Sequence, residues 1–452
     1  MKRWIMTLCV ALLLVGLFAP AKGIRAEEVK NGWVSENGTW YYYKDGEPKT
    51  GWLQEEDSWY YLKSSGAVTQ GWKEIDSSWY FFKDSGRMLT DWLEHEGSWY
   101  YFKDSGKMAS GWQEVNGSWY YFGESGKMRT GWQEVNGGWY YFNESGKMRT
   151  GWMEENGSWY YFADSGKMCT GWREVDEDWY YFGESGKMRT GWQQIDGSWY
   201  VFSDSGKMKT GWVEKDGSWY YLKSSGRMAS GGWVLDGEDY YYVDENGVMQ
   251  TGWFTLNGDK YYLGDSGKMR TGWRKIDGEI YYFYENQNKW MGVMAKSTTV
   301  GVTPVGKNGT ITDSNIRAMY MKAMGLTSKT EYLLLVNSST HRVGIFTGSV
   351  GNWKMVKYFL CTVGAKKTPT VKGTFQIGGR GYSFLHDEFR LFYWVSFYRD
   401  YLFHSVLYDK NDGRLRDGRL GKNLSLGCVR LAIENAKWIY DNVPERSKVV
   451  SY

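Results

Sequence analysis

The sequence predicts a mainly β protein, with an N-terminal solenoid of stacked β-hairpin repeats followed by a C-terminal β-rich domain that ends in a short helix. Tryptophan recurs every 19 to 21 residues between residues 31 and 290, nearly always after glycine. After Trp290 this period stops and strand-like segments follow. The composition agrees, because 28 Trp, 37 Tyr and 58 Gly against 5 Pro is far from a globular average and typical of a repeat protein.

Each repeat has the turn chemistry of a β-hairpin. The unit from Gly111 to Thr130 reads GWQEVNGSWYYFGESGKMRT, which is a short strand, an Asn-Gly turn, an aromatic strand and a Ser-Gly turn. One hairpin of this size is marginal in water, so neighbours must stack to bury their aromatic faces. The first tryptophans count thirteen units, at Trp33, Trp52, Trp72, Trp92, Trp112, Trp132, Trp152, Trp172, Trp192, Trp212, Trp233, Trp253 and Trp273.

The aromatic strand has two faces with different expected roles. Strand alternation places Trp119 and Tyr121 on one face and Tyr120 and Phe122 on the other. One face must hold the stack together. On the other, the tryptophan after glycine, the tryptophan and second tyrosine of the WYY run, and a methionine such as Met128 can converge into an aromatic box between hairpins. Such boxes hold quaternary ammonium groups with about 0.5 to 2 kcal/mol per ring.

The predicted ligand-binding residues are aromatic side chains of these boxes: Trp52, Trp59, Trp72, Trp79, Trp92, Trp99, Trp112, Trp119, Tyr121, Trp132, Trp139, Tyr141, Trp152, Trp159, Tyr161, Trp172, Trp179, Tyr181, Trp192, Trp199, Trp212 and Trp219. The last three units depart from the pattern, and we read Asp239, Lys260 and Ile280 as replacing their second tryptophan. Val201 replaces the second tyrosine in the unit of Trp199. We therefore expect functional boxes mainly between Trp52 and Trp219, with the last three units as structural spacers.

The N-terminus has the pattern of a secretory signal peptide over residues 1–26. Basic residues precede an apolar run from Trp4 to Phe18 and then small residues, with cleavage expected after Ala21 or Ala26. The run is shorter than the roughly 20 apolar residues of a transmembrane helix. We expect an exported protein that is not an integral membrane protein.

Cysteine usage points to a free thiol. Cys9 would be removed with the signal peptide, which leaves Cys169, Cys361 and Cys428. Three cysteines cannot all pair, so at least one thiol needs another explanation. For Cys169 and Cys361 we expect small apolar fillers; for Cys428 we expect catalysis.

Charge divides the chain into two different halves. Residues 31–290 carry 27 Lys and Arg against 39 Asp and Glu, whereas residues 291–452 carry 23 against 11. The positive charges of the second half are scattered among strand-like segments and form no nucleic-acid-binding motif. An anionic polymer such as a cell wall is the expected surroundings, and a nucleic-acid partner is not expected.

The C-terminal part divides into a connector and a catalytic domain. Residues 291–327 are interpreted as a connector with a helix from Ser314 to Met324, capped by Asp313 or Ser314. Residues 328–452 form strand-like segments and a final helix from Ile433 to Asn442.

The segment SLGCVRL, residues 425–431, indicates a thiol enzyme. Gly427 permits a tight turn in which backbone N–H groups point at an oxyanion, and Arg430 can anchor a carboxylate. His404, 24 residues before Cys428, is the natural base to generate a thiolate near neutral pH. A zinc site is disfavoured, because one Cys and one His leave the usual four ligands incomplete.

The repeats closely resemble the choline-binding repeats of Gram-positive surface proteins over about 260 residues. That resemblance implies boxes for the choline of teichoic acids and association with the wall. Similar aromatic repeats in glucan-binding proteins and clostridial toxins take glycans, so another wall polymer stays open as the ligand.

The C-terminal domain resembles L,D-transpeptidase catalytic domains in four ordered segments: TPTVKGTFQIG, YWVSF, the His404-Ser405 pair and SLGCVRL. The resemblance implies Cys428 as nucleophile, His404 as base, the Ser405 carbonyl as its orienting partner, Gly427 and Cys428 N–H groups in the oxyanion hole, and a supporting Arg430. It also implies peptidoglycan stem peptides as substrates, 3→3 cross-links as product, and no cofactor.

One position departs from that family. Leu426 stands where the family usually has histidine. Because His404 matches the base, we expect activity to survive. The alternatives are an L,D-carboxypeptidase or wall-remodelling hydrolase, and a wall-binding surface protein with a degenerate enzyme. Among the other histidines, we expect His341 and His95 to be solvated, whereas His386 either lines the cleft or caps a strand.

Overall fold

The computed structural model describes residues 29–286 and 291–452, so the predicted signal peptide and Cys9 lie outside the described residues. The chain divides into two compact units whose boundary falls between Arg189 and Thr190. Thirteen hairpins and a C-terminal β-rich domain with a terminal helix confirm the predicted fold class. Within the described ranges, neither helix is long and apolar enough to cross a membrane.

The first unit holds eight hairpins. Their strands are β1 Gly32–Glu36, β2 Thr39–Lys44, β3 Glu47–Pro48, β4 Gly51–Glu55, β5 Ser58–Leu62, β6 Gly71–Ile75, β7 Ser78–Phe82, β8 Asp91–His95, β9 Ser98–Phe102, β10 Gly111–Val115, β11 Ser118–Phe122, β12 Gly131–Val135, β13 Gly138–Phe142, β14 Gly151–Glu155, β15 Ser158–Phe162, β16 Gly171–Val175 and β17 Asp178–Phe182. Each hairpin is an antiparallel pair, and β3 extends the first one.

The second unit begins with the other five hairpins, β18 Gly191–Ile195, β19 Ser198–Phe202, β20 Gly211–Lys215, β21 Ser218–Leu222, β22 Gly232–Asp236, β23 Asp239–Val243, β24 Gly252–Leu256, β25 Asp259–Leu263, β26 Gly272–Ile276 and β27 Glu279–Phe283. Then follow β28 Thr298–Val300, β29 Thr303–Val305, α1 Ser314–Ala323, β30 Tyr332–Asn337, β31 Arg342–Ser349, β32 Asn352–Gly364, β33 Gly373–Gln376, β34 Arg380–Leu385, β35 Phe389–Tyr398, β36 Tyr401–Ser405, β37 Leu407–Asp409, β38 Leu415–Asp417, β39 Asn423–Ser425, β40 Val429–Leu431, α2 Ile433–Asn442 and β41 Lys448–Ser451.

The two turns of each repeat explain how the hairpins form and stack. Asn116 and Gly117 have φ of 51° and 72°, as a type I′ hairpin turn requires. Gly126, in the Ser-Gly turn, has φ of 75°, and a Cβ there would lie 2.2 Å from the Met108 Sδ of the preceding repeat. The Met128 N–H then donates to the Trp99 carbonyl of the preceding repeat at 2.8 Å. Successive hairpins such as these are therefore joined by backbone hydrogen bonds and by side-chain packing.

The segment predicted as a connector contains a further hairpin, which corrects that prediction. Strands β28 and β29 pair, and Val305 bridges Ile311 just as Phe122 bridges Met128 in a full repeat. Gly309 takes the place of the repeat glycine, since a Cβ there would meet the Met294 Sδ at 2.5 Å. This shortened unit has no tryptophan, so the period in the sequence did not reveal it.

The C-terminal domain is built on one mixed sheet in the order β33-β41-β30-β31-β32-β40-β36-β35-β37-β38, with β34 on β35 and β39 on β32. Strands β30 and β41, β36 and β40, and β32 and β39 pair in parallel. Because side chains alternate along a strand, β30 contributes side chains to two hydrophobic cores, one on each face of the sheet. Leu333 and Leu335 pack with α1, whereas Leu334 and Val336 lie in the core that contains α2.

The last full repeat is part of the first of these cores. Trp273 and Ile280 are fully buried among α1 and the strands of the catalytic sheet. Trp273 lies 4.5 Å from the Tyr320 ring of α1, in the way that Trp253 lies 4.9 Å from Tyr281 of the repeat after it. Helix α1 thus takes over the packing that a following hairpin would supply. It begins at the predicted Ser314 with Asp313 as its cap and ends at Ala323, one residue before the predicted Met324, whereas the bounds of α2 match the prediction.

Candidate functional site

Pairs of tryptophans form a row of aromatic boxes between hairpins. In one box, Trp52 and Trp59 of one hairpin meet Tyr80 and Met88 of the next around a cavity of about 390 Å³. Asp104, from the turn two repeats on, lines the same cavity. The Trp52 ring lies 6.0 Å from Trp59 and 4.9 Å from Tyr80, edge to face in both cases. An aromatic cage with a carboxylate at its rim suits a cationic group.

The same packing recurs along the stack. The second tryptophans Trp59, Trp79, Trp99, Trp119, Trp139, Trp159, Trp179, Trp199 and Trp219 are each 40 to 43% exposed. Their hairpin partners Trp72, Trp92, Trp112, Trp132, Trp152, Trp172, Trp192 and Trp212 are half-buried. Large aromatic rings that stay open to solvent in register, as Trp119 does beside Trp112, are typical of a binding surface.

Two of the cavities show a tyrosine that the prediction had not placed there. In the cavities at Trp52 and Trp192 it is Tyr80 or Tyr220, the first tyrosine of the following hairpin. The predicted second tyrosines Tyr121, Tyr141, Tyr161 and Tyr181 pack edge-on against the first tryptophan of their own hairpin at 5.1 to 5.3 Å. They support the cage wall from behind. The sequence pattern showed the faces of one hairpin but not which neighbour completes a box.

The assignment of Asp239 is wrong. Tyr240 pairs with Leu235, as Trp119 pairs with Glu114, whereas Asp239 pairs with Asp236. Tyr240 therefore occupies the position of the second tryptophan, so this unit keeps an aromatic residue there. Lys260 and Ile280 do occupy that position, since they pair with Thr255 and Lys275.

Cys428 and His404 line one cavity of about 1070 Å³ in the catalytic domain. Strands β36 and β40 run parallel, with His404 opposite Arg430. Because side chains alternate, Cys428, two residues before Arg430, faces the same side. The thiol of Cys428 donates to the Asp400 carbonyl at 3.5 Å. His386, which stacks on Phe389 at 4.4 Å, lines this cavity too.

The tautomer of His404 follows from its neighbour. Nδ1 lies 2.6 Å from the Ser405 carbonyl oxygen, and a carbonyl can only accept, so Nδ1–H donates. Nε2 is then the nitrogen that can take a proton. Burial lowers the pKa of His404 to about 4, with the hydrogen bond to Ser405 opposing and Arg430 adding to this effect.

Burial raises the pKa of the Cys428 thiol, and Asp400 adds to the shift. The hydrogen bond from the Leu402 backbone and the charge of Arg430 act in the opposite direction. With the pKa of one group raised and that of the other lowered, both Cys428 and His404 are uncharged near neutral pH.

The turn before Cys428 needs glycine. Gly427 has φ of 120°, and a Cβ there would lie 2.8 Å from the Tyr401 ring. Its N–H donates to Ser425 Oγ at 3.2 Å, and Ser425 Oγ donates to the Cys428 carbonyl at 2.6 Å. The predicted oxyanion donor at Gly427 is thus engaged within the loop in this structure.

Several supporting residues were not singled out from the sequence. Thr370 Oγ1 donates to the Gly427 carbonyl at 2.8 Å and accepts from the Gly364 N–H at 2.9 Å. Thr370 belongs to the TPTVKG segment, which the sequence had marked as a match without a role. Asp417 could not be recognised, because its partner Arg430 comes close only in the folded domain. Ser425 stood inside the SLGCVRL motif, but the motif gave it no role.

Arg430 is held by Asp417 rather than facing the cavity unpaired. Its Nη1 donates to Asp417 Oδ2 at 2.7 Å, and both side chains are largely buried. Hydrogen bonds from Arg419, opposed by partial burial and reinforced by Arg430, hold the pKa of Asp417 well below its usual range. The Nε atom of Arg430 is buried without a hydrogen-bond partner. A buried polar atom without a partner is uncommon in a folded protein.

The remaining cysteines and histidines lie apart from this cavity. Cys169, Cys361 and Cys428 are all free thiols. Cys361 is fully buried, and burial raises its pKa to about 12, as expected of an apolar filler. His341 contacts Asn423 Oδ1 at 2.5 Å. His95 ends strand β8 and lies 5.9 Å from the Trp72 ring, so it is not in a loop as predicted. No three His, Cys, Asp or Glu side chains of the described ranges come together as a metal site.

Family models match both parts of the chain. A model for the choline-binding repeat matches residues 68–111, 109–132, 129–170, 169–209, 189–233 and 250–298. A model described as "Putative cell wall binding repeat" matches residues 31–46, 50–68 and 231–249. A model for the L,D-transpeptidase catalytic domain matches residues 331–450.

A curated relative matches the catalytic part. It is the Bacillus subtilis (strain 168) protein named "Putative L,D-transpeptidase YciB", 40% identical over 92 residues. The match covers 19% of this chain and 47% of that protein, so the chain spans about half the length of this relative.

Solved structures from Streptococcus pneumoniae match the repeat part. CbpJ is 31% identical with a TM-score of 0.36, covering 58% of this chain and 100% of CbpJ. Choline-binding protein F, solved with a peptidoglycan analogue, is 31% identical with a TM-score of 0.34, covering 58% of this chain and 98% of that protein. The choline-binding domain of CbpL is 32% identical with a TM-score of 0.31, covering 40% of this chain and 97% of that domain.

Proposed function

Because the chain joins choline-binding repeats to an L,D-transpeptidase catalytic domain, we propose that it is an exported, wall-bound enzyme that forms 3→3 cross-links in peptidoglycan through Cys428. The observation that carries this proposal is the shared cavity of Cys428 and His404, together with the Nδ1 hydrogen bond that leaves His404 Nε2 as the proton acceptor.

In the proposed reaction, His404 Nε2 takes the thiol proton as the Cys428 sulfur attacks the carbonyl between the third stem residue and the terminal D-alanine. The C–N bond breaks, the proton passes from His404 to the departing amine, and D-alanine leaves. The stem peptide stays bound to Cys428 as a thioester. The amine of a neighbouring stem then attacks the thioester, loses its proton to His404, and releases the thiol. No charge is present on the pair until substrate is in place.

The stem peptide needs positioning as well as chemistry. Arg430, Arg416 and Arg419 line the cavity and can meet the carboxylates of the stem. The apolar Trp394 and Phe384 line the same cavity and can pack against its alkyl groups. A cavity with both characters fits a peptide that alternates methyl groups and carboxylates.

A product assay tests the proposal against its alternatives. The purified protein is incubated with a disaccharide-tetrapeptide, and the products are identified by mass spectrometry. A cross-linked dimer with release of D-alanine is expected. A tripeptide monomer would indicate an L,D-carboxypeptidase instead, and no product would indicate a degenerate enzyme.

The nucleophile has its own control in the same assay. Cys428→Ala should form neither product, while Cys361→Ala, which changes a buried thiol that does not line the cavity, should keep the activity. Activity that survives in Cys428→Ala would contradict the mechanism.

For the repeats we propose choline of wall teichoic acids as the ligand. The aromatic cages with a carboxylate such as Asp104 at the rim favour a cation over a neutral glycan. Trp119→Ala should weaken retention on choline-bearing walls, and Lys260→Trp should strengthen it by completing a cage. Equal and negligible effects of the two changes, or elution by glucan rather than choline, would contradict this ligand.

A further inference from the structure

In several hairpins, the last residue of the first strand contacts the aromatic box of the hairpin before it. We call the last residue of the first strand the closing position; it is Glu36, Glu55, Ile75, His95, Val115, Val135, Glu155, Val175, Ile195, Lys215, Asp236, Leu256 or Ile276. In most repeats it is aliphatic, and Val115, for example, is buried beside Tyr120 and Trp92. Five closing positions next to an earlier box are instead charged or titratable.

These polar closing residues contact the first tryptophan or its neighbours directly. The indole Nε1–H of Trp132 donates to Glu155, and that of Trp212 donates to Asp236 at 3.1 Å. His95 lies against Trp72. The closing position is therefore part of the box wall, although the aromatic pattern of the sequence did not include it.

Lys215 brings a cation into a box. Its Nζ lies 5.2 Å from the centre of the Trp192 ring, and it lines the same cavity as Trp192, Trp199 and Tyr220. This cavity, about 190 Å³, is about half as large as that at Trp52. Val201 replaces the tyrosine that supports the first tryptophan elsewhere. An ammonium over the indole uses the same face that a quaternary ammonium ligand would use.

Resting on the proposed cation ligand of the repeats, we propose that the closing position grades the boxes. Lys215 occupies the Trp192 box with the chain's own ammonium group and weakens it, whereas Glu155 and Asp236 add a carboxylate that strengthens the Trp132 and Trp212 boxes for cationic ligands. The boxes would then differ in affinity for a cation: the Trp192 box would bind more weakly, and the Trp132 and Trp212 boxes more tightly. Boxes such as that of Trp112, whose closing residue is the uncharged Val135, would lie between these extremes.

Physical chemistry sets the expected size of each effect. At an exposed site a lysine–indole contact is worth a factor of about two to five, and the charge next to the ligand contributes further. Removing Lys215 should therefore tighten the Trp192 box for choline by roughly three- to tenfold. Removing Glu155 or Asp236 should weaken its box by about threefold or more. Both effects should shrink in 1 M salt, since these side chains are near the surface.

The test is a choline titration of the whole protein labelled with 5-fluorotryptophan and followed by fluorine NMR. The signals of Trp192, Trp132, Trp212 and Trp112 are assigned from single Trp→Phe variants. Lys215→Val, Glu155→Val and Asp236→Val install the residue that neutral repeats carry, so the hairpin fold is kept. Lys187→Val, which removes an exposed lysine from a turn, is the matched control.

Tighter binding at Trp192 in Lys215→Val, weaker binding at Trp132 in Glu155→Val and at Trp212 in Asp236→Val, and no change at Trp112 or in Lys187→Val support the proposal. Choline shifts at Trp112 with an unchanged Trp192 titration in Lys215→Val would overturn the grading alone. A titration that shifts no tryptophan signal would overturn the cation ligand of the repeats, and the grading with it. A thermal unfolding midpoint within about 2 °C of the parent confirms that each variant is folded.

Discussion

The proposed nucleophile Cys428 and its proposed base His404 are both uncharged near neutral pH. Most activated thiols near a histidine exist as an ion pair, yet burial here raises the pKa of Cys428 and lowers that of His404. The thiolate must then form during attack, when developing charge can be neutralised by the substrate and by nearby donors. This arrangement limits oxidation of the resting thiol, because the thiolate is the reactive form.

The pH dependence of turnover follows from His404. The base works only when it is neutral, and a pKa of about 4 keeps it neutral at pH 5, where an ordinary histidine of pKa 6.5 would be mostly protonated. We expect kcat/KM to change by less than about twofold from pH 7 to pH 5 and to fall below about pH 4. Initial rates across pH 3.5 to 7 measure this, with a folding check at each pH. An acid limb near pH 6.5 would contradict it.

Leu426 is 78% exposed at the rim of the cavity. Because His404 already has an orienting carbonyl, the exposed leucine is not needed for proton transfer. We expect Leu426→His to change kcat by less than about tenfold, whereas His404→Ala should lower it by roughly 10² or more. Steady-state kinetics on the tetrapeptide substrate compare the two. A gain of a hundredfold in Leu426→His would show that the departure from the family impairs this enzyme.

We expect Asp417 to act as a positioning residue, because its carboxylate holds the Arg430 guanidinium in place. Asp417→Asn removes the charge partner of a buried guanidinium and should cost about 3 kcal/mol of unfolding free energy. Arg419→Gln removes the exposed partner of the same carboxylate and should cost less than about 1 kcal/mol. Urea unfolding measures both. Steady-state kinetics separate positioning from stability, because we expect Asp417→Asn to raise KM more than it lowers kcat. Equal losses of unfolding free energy in the two variants would be inconsistent with the proposed role.

Among the elements, the last hairpin and α1 form the end of the repeat stack. Solenoids need a cap because an end repeat would leave an apolar face in water. Here the cap is not polar: Tyr320 and Met319 of α1 pack against Trp273, and the backbone N–H of Trp273 donates to Asn352 Oδ1 at 2.8 Å. An Arg317–Glu279 ion pair joins α1 to the same hairpin. The repeat stack and the catalytic sheet therefore share one core at this point.

Truncation and substitution test this shared core. A fragment of residues 328–452 exposes Leu333, Phe346 and Trp353 and should be insoluble or unfolded, whereas a fragment starting at Gly252 should fold. In the whole chain, Trp273→Ala should cost about 3 to 5 kcal/mol. Trp253→Ala, at a ring that is 38% exposed, should cost distinctly less. Circular dichroism and calorimetry read out both. A stable, active 328–452 fragment would show that the catalytic domain does not need the repeat.

At the scale of the whole molecule, the proposed boxes on one chain would act together on a polymer. Each added site multiplies the overall affinity through its effective concentration, provided that the polymer reaches several boxes at once.

Deleting residues 131–190 removes three whole repeats without breaking the period. We expect the shortened protein to elute from choline-bearing walls at a clearly lower choline concentration than the parent, with activity on a soluble tetrapeptide unchanged within about twofold. A wall-elution series with both proteins measures the first effect and the product assay the second. Equal elution would mean that the deleted boxes do not contribute to binding.

The sequence by itself determined the fold class, the thirteen hairpins, the bounds of α2, the start of α1 and the candidacy of Cys428 and His404. These depend on short-range order: turn residues, strand alternation and local motifs repeat at fixed spacing and can be read along the chain. The tertiary structure decided which tyrosine completes a box, that Tyr240 rather than Asp239 takes the tryptophan position, that residues 298–305 form a further hairpin, and that Asp417, Thr370 and Lys215 have partners. Those features depend on contacts between residues far apart in sequence, which only the stacking of hairpins and the closing of the sheet bring together.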